Sequence, residues 1–582
     1  MKIKQLTEKH SLKNELIFRF KTLLLIGNRL LLNLLYPPKK FKTDCKLINE
    51  PVIAISESDL WNPNDNKDNW ILTAGKIENI RIAAKKLNGL EINANEVFSF
   101  WQHIGNPNFG KGYAIGREIR EGCIVPTIAG GLCQLSNALY DAALKSNFEI
   151  VERHKHTKVI KGSLAEQNRD ATVKWNYIDL RFKSTFDFKI EIQLTSDKLF
   201  LSFKSKQTNV TPTENNFELR ESNKLNDCYS CGNLTCFKHP DRTSVKQEIA
   251  KTTFILDEKW TEYDTYVKSI ATGSDSFIVP LQKNYLIKTE RYNWLAMKSG
   301  KIKSTTYQGI YRAIKLRFAP NNKNNVFELS LQLDKKIAVA ATRKISIDTT
   351  HLVISQNLLP FIYETGILGG RTFDVLMTRL PIEKLHERLD FEYLKNPESK
   401  TLTDFRAPKK LIELENLALT KARKIITPHS EIAEIFKNKV EKLIWDIPNQ
   451  TKIQIRGSKV LFPGSIVDRK GADEIKRLLK ELEINLVVSG RIIENDTFWE
   501  SSKIERFNDN FEQIGLIVYP THIEHQPRRI LKALSLGIPI ITTTACGLES
   551  SELVKIVETN NFELFMSEVK KQLESNSRKN NQ

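Results

Sequence analysis

The spacing of apolar residues changes character part-way along the chain. Residues 80–87 and 135–144 carry apolar side chains three and four positions apart, which places them on one face of a helix. Residues 173–180 and 186–203 alternate with period two and predict partly buried strands. Beyond about residue 250 the runs become short and continuous: 336–341, 351–354, 424–426, 460–462, 486–488, 516–518 and 538–541, separated by helical stretches. Parallel strands buried on both faces produce that pattern. The chain therefore predicts an α+β block over 45–205 and an α/β region from 250 onward. The polar stretch 205–226, with Pro212, Asn215 and Asn216, predicts a linker between them.

The N-terminal segment stands apart. Residues 23–36 run Leu-Leu-Leu-Ile-Gly-Asn-Arg-Leu-Leu-Leu-Asn-Leu-Leu-Tyr and are followed by Pro37-Pro38. The run is too short to span a bilayer, Arg29 interrupts it, and no small-residue cleavage site follows. Two readings fit: a helix packed on the protein's own core, or a basic amphipathic helix lying on an anionic membrane surface. Residues 1–44 contribute +7 of the chain's +19. Such a basic balance points to anionic partners: nucleic acid, acidic lipid or phosphorylated small molecules. The basic residues are dispersed and no nucleic-acid module is recognisable, so nucleic acid is disfavoured. With 40% apolar and 27% charged residues, the 582-residue chain is globular and has room for several domains. Seven Cys, an odd and small number, exclude a secreted disulfide framework and predict a reducing compartment.

Three groups of residues carry candidate chemistry. In the first, Gly130-Gly131 precede Cys133 at the start of a predicted helix, where unpaired backbone N–H groups favour a thiolate. His156 and Asp170 follow in the order of a cysteine nucleophile, its base and the acid that orients the base. A buried, inert packing cysteine is the alternative. The surrounding stretches Leu87-Asn88-Gly89-Leu90, Glu96-Val97-Phe98-Ser99-Phe100-Trp101, Gly130-Gly131-Leu132-Cys133-Gln134-Leu135-Ser136-Asn137, Glu152-Arg153, His156 and Asp170-Ala171-Thr172-Val173 resemble the VanW family. That family is known as accessory proteins of vancomycin-resistance gene clusters. The resemblance covers roughly 40–205 and implies an α+β domain tied to cell-envelope biology, without implying a reaction.

In the second group, Cys228, Cys231, Cys236 and His239 place four soft ligands within twelve residues. Their types and spacing suit a closed tetrahedral zinc site, with an iron–sulfur cluster as the second option and a plain local Cys pair as the bland one. Its position predicts a structural metal pinning the linker.

The third group lies in the last 130 residues. Gly464 and Lys470 sit in a loop between an apolar strand and a helix, an arrangement that suits an anion. Gly490 ends the next strand, and Glu524, Arg528 and Arg529 precede a helix that stops at Gly537. For the arginines, a solvated basic helix face is the alternative. In order and spacing these pieces resemble the retaining, group 1 type, nucleotide-sugar glycosyltransferases with two Rossmann-like lobes, the GT-B fold. The resemblance is clearest over 455–550, and residues 421–428 resemble the last helix–strand unit of a first lobe. It implies a sugar nucleotide held by the C-terminal lobe. Two positions depart from the family: Ser465 stands where an Arg usually follows the Gly. Lys532 stands where a second Glu normally accepts from the donor ribose, which a Lys cannot do.

The expected organisation is a basic segment (1–44), a VanW-like domain (45–205), a metal-bound linker (206–245), a first Rossmann-like lobe on the acceptor side (250–450) and a second on the donor side (455–575). The expected activity is sugar transfer from a nucleotide donor to a cell-envelope glycan or lipid-linked acceptor, in the cytoplasm or at the inner face of the membrane. Two other classes stay open: cysteine-dependent acyl transfer or hydrolysis on peptide or glycan, and a non-catalytic scaffold.

Overall fold

The structure, a computed structural model, describes residues 12–580 apart from 62–66, 121–122, 156–163, 165–166, 208–250, 285–286, 320–322, 400, 450–456, 495–497 and 500–503. The chain divides into two compact units. One comprises residues 1–251 with 346–350 and 366–372; the other comprises the remainder.

The first unit opens with helix α1 (Leu12–Leu35), which stops just short of Pro37-Pro38, as the restricted backbone before a proline requires. Strand β1 (Val52–Asp59) and helix α2 (Lys67–Leu87) follow, then β2 (Glu91–Ile92), β3 (Val97–Ser99) and the hairpin β4 (Ile115–Arg120) to β5 (Cys123–Ile128). Helix α3 (Cys133–Lys145) leads to β6 (Glu149–Glu152), β7 (Arg181–Lys183), β8 (Phe188–Leu194) and β9 (Lys198–Lys204). The order β1-β9-β8-β2 makes an antiparallel sheet, with α2 packed on β8 and α3 on β1 and β9. In β9 the period-two pattern buries Leu199, Leu201 and Phe203 completely and leaves Lys198 and Lys204 half-exposed. Ile77, Ile80, Ala84 and Leu87 of α2 supply the opposing stripe. Phe148 stacks on Phe203 and tilts against Phe188 in the same core. Each such buried ring contributes about 1.5–3 kcal/mol.

Residues 173–180 differ from the strand expected there. They make a tight turn closed by the Lys174–Ile178 bridge, with Asn176 at φ +56° in the left-handed region. Asp179 then accepts from Ser99 Oγ at 2.6 Å and from Trp101 N at 3.1 Å, and Trp101 Nε1 donates to Ile178 O. Those polar contacts outweigh the apolar alternation, and pairing begins only at β7.

The second unit contains two parallel α/β lobes. The first holds β10 (Lys251–Ile255), α4 (Thr261–Ile270), β11 (Ser276–Val279), β12 (Lys301–Ser304), α5 (Thr306–Arg317), α6 (Lys323–Thr342), β13 (Thr349–Ser355), β14 (Thr372–Leu376), α7 (Ile382–Lys395), α8 (Lys409–Lys421), β15 (Lys424–Thr427) and β16 (Val440–Lys442). Its sheet order is β12-β11-β10-β13-β14-β15-β16. The run 336–341, expected as a strand, belongs to α6. Leu333, Ile337, Ala338 and Ala341 lie on one buried helical stripe, and alanine is the strongest helix former. The unit at 421–428 is helix then strand, but β16 follows it and forms the sheet edge.

The second lobe holds β17 (Lys459–Phe462), α9 (Ala472–Glu481), β18 (Leu486–Val488), β19 (Glu505–Arg506), β20 (Ile514–Tyr519), α10 (Arg528–Ser535), β21 (Ile540–Thr543), β22 (Val554–Val557) and α11 (Phe562–Asn580). All five strand pairs are parallel, in the order β19-β18-β17-β20-β21-β22. Numbered along the lobe, this is 3-2-1-4-5-6, the doubly wound order whose direction reverses between β17 and β20. Every residue of β20 and β21 is buried; β20 carries no polar side chain except the Tyr519 hydroxyl, and the two threonines that end β21 donate their hydroxyls to Tyr519 O and Thr521 O.

Candidate functional sites

In the first unit the Gly pair shapes the start of α3. Gly131 has φ +98°, and a Cβ there would meet Lys76 Cγ at 2.0 Å; one on Gly130 would meet Gly116 O at 2.5 Å. The buried Asn79 amide donates to Gly130 O and Ala114 O at 3.0 Å and fixes the turn. Cys133 is the first residue of α3, half-buried, and no side chain caps that helix. Its Sγ lies 3.8 Å from Val173 O. The Asp170 segment runs alongside: Asn137 Oδ1 accepts from Ala171 N at 2.8 Å, and Ser136 Oγ donates to Ala171 O at 2.6 Å. Asp170 is fully buried and pairs with Arg153 Nη2 at 2.9 Å, while Arg153 Nε donates to Asp170 O. Arg153 also lies over the Tyr140 ring. The motif stretches around Gly130, Cys133, Ser136, Asn137, Arg153 and Asp170 thus converge at one helix start. His156 lies outside the described residues, as do Cys228, Cys231, Cys236 and His239.

In the second lobe, the carboxyl ends of β17, β18 and β20 meet at the point where strand order reverses. Gly490 sits against the Gly464 loop, where a Cβ would approach Gly464 O and Ser465 Cα to 2.2 Å. Lys470 Nζ donates to Ile523 O and Glu524 Oε2, both at 2.8 Å. The Glu524 carboxylate also accepts from the Tyr519 hydroxyl and from the backbone N–H groups of His525 and Gln526 at 2.8 and 2.9 Å. Burial alone would raise its pKa. The Lys470 charge and these hydrogen bonds outweigh burial and hold the carboxyl down to about 2. Arg529 donates to Pro463 O at 3.1 Å and to Ser489 Oγ at 2.6 Å, tying α10 to both neighbouring loops. Gly464, Lys470, Gly490, Glu524 and Arg529 are therefore gathered at one strand-end crevice.

Arg528 has a different engagement. It forms a two-pronged pair at 2.6 and 2.7 Å with Glu262, a fully buried carboxylate on α4 of the first lobe, and lies beside Trp260 and Trp445. Lys532 rests over the Phe511 ring at 5.2 Å.

Sequence reasoning did not find a second acidic centre beside this crevice. Asp468, one residue before Arg469-Lys470, accepts from Asn396 Nδ2 at 2.7 Å, and its N–H donates to Glu494 Oε1. Glu494 also accepts from Ser399 Oγ and Thr401 Oγ1. Burial, then the neighbouring Glu494 charge, pushes the Asp468 carboxyl up to about 7. Asp468 and Glu494 are 26 residues apart, each after a pair of apolar residues, and nothing in their local sequence announces the pairing.

Residues 75–204 match the family described as VanW like protein. The chain is 32% identical over 163 residues to the vancomycin B-type resistance protein VanW of Enterococcus faecalis and 34% identical over 115 residues to the uncharacterized protein YoaR of Bacillus subtilis. Those matches take in 27% and 20% of the chain, and span 53% of VanW and 37% of YoaR. Solved structures similar to the chain include the lipopolysaccharide outer core galactosyltransferase WaaB (12% identity, TM-score 0.31, 56% of this chain and 90% of that one). TarM is similar at 8% identity and TM-score 0.36, over 57% and 93%. HepE of Anabaena, solved in complex with UDP-glucose, is similar at 12% and 0.34, over 56% and 90%. The protein is thus a mixed α/β chain with a VanW-like N-terminal domain and a C-terminal part similar to glycosyltransferase structures.

Proposed function

We propose that the C-terminal lobes transfer a sugar from a nucleotide donor to a cell-envelope glycan or lipid-linked acceptor on the cytoplasmic side. The observation that carries this reading is the 3-2-1-4-5-6 sheet with Lys470 and Arg529 gathered at its switch point, beside the closely packed Gly464 and Gly490 loops. In doubly wound sheets ligands bind outside the strand carboxyl ends at that reversal. Lys470 and Arg529 supply cations there for a diphosphate. Departure of a nucleoside diphosphate builds negative charge on the phosphate, and fixed cations stabilise that charge without reorganising. Calorimetry of the full chain against common sugar nucleotides tests the reading. Binding is expected, and Lys470→Ala should weaken it by about 1.5–3 kcal/mol, as for a lost charge-assisted hydrogen bond. Absence of binding to any of them would remove it.

A second reading rests on the half-buried Cys133 at an uncapped helix start. There the VanW-like domain would run cysteine-dependent acyl transfer or hydrolysis, with His156 as base and Asp170 as the acid that orients it.

A further inference from the structure

The polarity of α1 is reversed relative to an ordinary surface helix. Thr22, Ile26, Arg29 and Asn33, spaced four, three and four apart, are its half-buried stripe. Two of the four make the anchoring contacts. Arg29 pairs through both nitrogens with Glu152, at 2.9 Å for Nη1–Oε2, and its Nη2 also donates to Tyr177 O. Asn33 Oδ1 accepts from Arg181 Nη2 at 3.0 Å. On the opposite side, at about 100° per residue, stand Leu16, Phe20, Leu23, Leu24, Leu31 and Leu34. They are 67%, 62%, 66%, 59%, 55% and 79% exposed. A surface helix normally turns its apolar stripe inward and its charges outward. Single exposed leucines need no explanation, but a contiguous face of this breadth does.

We propose that α1 is a membrane-docking helix, held on the VanW-like domain by Arg29 and Asn33, that lays its outer face into an anionic lipid surface. Charge complementarity selects this occupant over a protein partner. Residues 1–44 hold ten Lys/Arg against three Asp/Glu, and Lys21, Lys40 and Lys42 are exposed on or just after the helix. Each basic residue near an anionic surface adds attraction, and the leucines add apolar burial in the interfacial layer. The helix lies on the surface rather than crossing it. No described helix is long and apolar enough to span a membrane, and Arg29 is tied to Glu152. At about 1.5 Å per residue the 24 residues extend roughly 36 Å along the surface. The inference stands on residues that the sugar-transfer reading does not use, so each can fail without the other.

Co-sedimentation of the full chain with vesicles of phosphatidylcholine alone, and with 30% phosphatidylglycerol, tests it. Strong binding is expected only to the anionic vesicles, falling with added salt. Leu24→Glu combined with Leu31→Glu should weaken it at least tenfold while leaving the melting temperature unchanged, since both side chains already face outward. Failure to bind anionic vesicles, equal binding to both vesicle types, or wild-type binding by the double variant would overturn the proposal. So would a wild-type dimer that the double variant converts to a monomer, because the face would then be covered by a second copy.

Discussion

The Arg528–Glu262 pair gives a sharp test of what joins the two lobes. Arg528→Met keeps the apolar stem of the side chain beside the stacked Trp260 and Trp445 and removes the guanidinium. Glu262 is then left with the Asp446 N–H and without its two charge-assisted hydrogen bonds, in a position where its side chain has no exposure. Removing one partner of a buried pair costs about 3–5 kcal/mol. Arg528 itself is 34% exposed, so solvent screens part of the interaction and the lower end, about 3 kcal/mol, is the expectation. Urea unfolding followed by tryptophan fluorescence takes in this locus, because two of the chain's eight Trp, Trp260 and Trp445, lie beside the arginine. The diagnostic comparison is Arg528→Met with Glu262→Leu. If the cost comes from a stranded charge, the double variant should be more stable than Arg528→Met alone, with a coupling of about 2 kcal/mol or more. Loss of under about 1 kcal/mol in the single variant, or simple additivity in the double, would refute the reasoning.

Other expectations follow from the remaining groups. Asp468 has its folded-state pKa raised, so the folded protein binds the extra proton between about pH 4 and 7, and stability from this group falls as pH rises through that window. Asp468→Asn should flatten that slope and raise stability at pH 8 by at most about 4 kcal/mol, read as a higher melting temperature; a lower melting temperature at pH 8 would contradict it. Cys133 should be alkylated in the native protein ahead of the exposed Cys45 and the buried Cys546, and His156→Ala should slow it; mass spectrometry showing Cys45 first and Cys133 only after denaturation would end the nucleophile reading. Elemental analysis should find one zinc or an iron–sulfur cluster per chain, lost when Cys228 and Cys231 are both replaced by Ser; a metal-free protein would dismiss the Cys228–His239 site.

Legibility from sequence followed the range of the interactions involved. Four strands of the second lobe, β17, β18, β20 and β21, were legible because burial on both faces leaves continuous apolar runs, whereas β19, exposed at both residues, and the shorter-patterned β22 were not. The tight start of α3 was legible in Gly130-Gly131, whose neighbours Lys76 and Gly116 leave no room for a Cβ. Misreadings came where a short run suited two periods. Residues 336–341 are apolar enough for a strand, and only the buried stripe continuing back to Leu333 marks them as helix. In residues 173–180 the apolar alternation was outvoted by the backbone of Asn176 and the reach of Asp179 to Ser99, 80 residues away. Pairings such as Arg528 with Glu262, 266 residues apart, carry no local signal at all.

The departures at Ser465 and Lys532 bear on how a donor phosphate would be held. Lys532 is occupied with Phe511, so it adds nothing at the crevice in this arrangement. The cationic work falls to Lys470 and Arg529, and both are already oriented by the protein. An ammonium has three N–H bonds; Ile523 O and Glu524 Oε2 take two of Lys470's, which leaves one to aim at a phosphate oxygen. Glu524, held at a pKa of about 2, stays anionic across the physiological range, so it fixes Lys470 without ever competing for its proton. Its own oxygens are filled by the Tyr519 hydroxyl and two backbone N–H groups, which keeps the carboxylate from turning toward an incoming anion. In this reading Glu524 is a positioning residue. On the sugar-transfer reading, Ser465 in place of an Arg would leave the phosphate to two cations, Lys470 and Arg529, that the protein already holds in position.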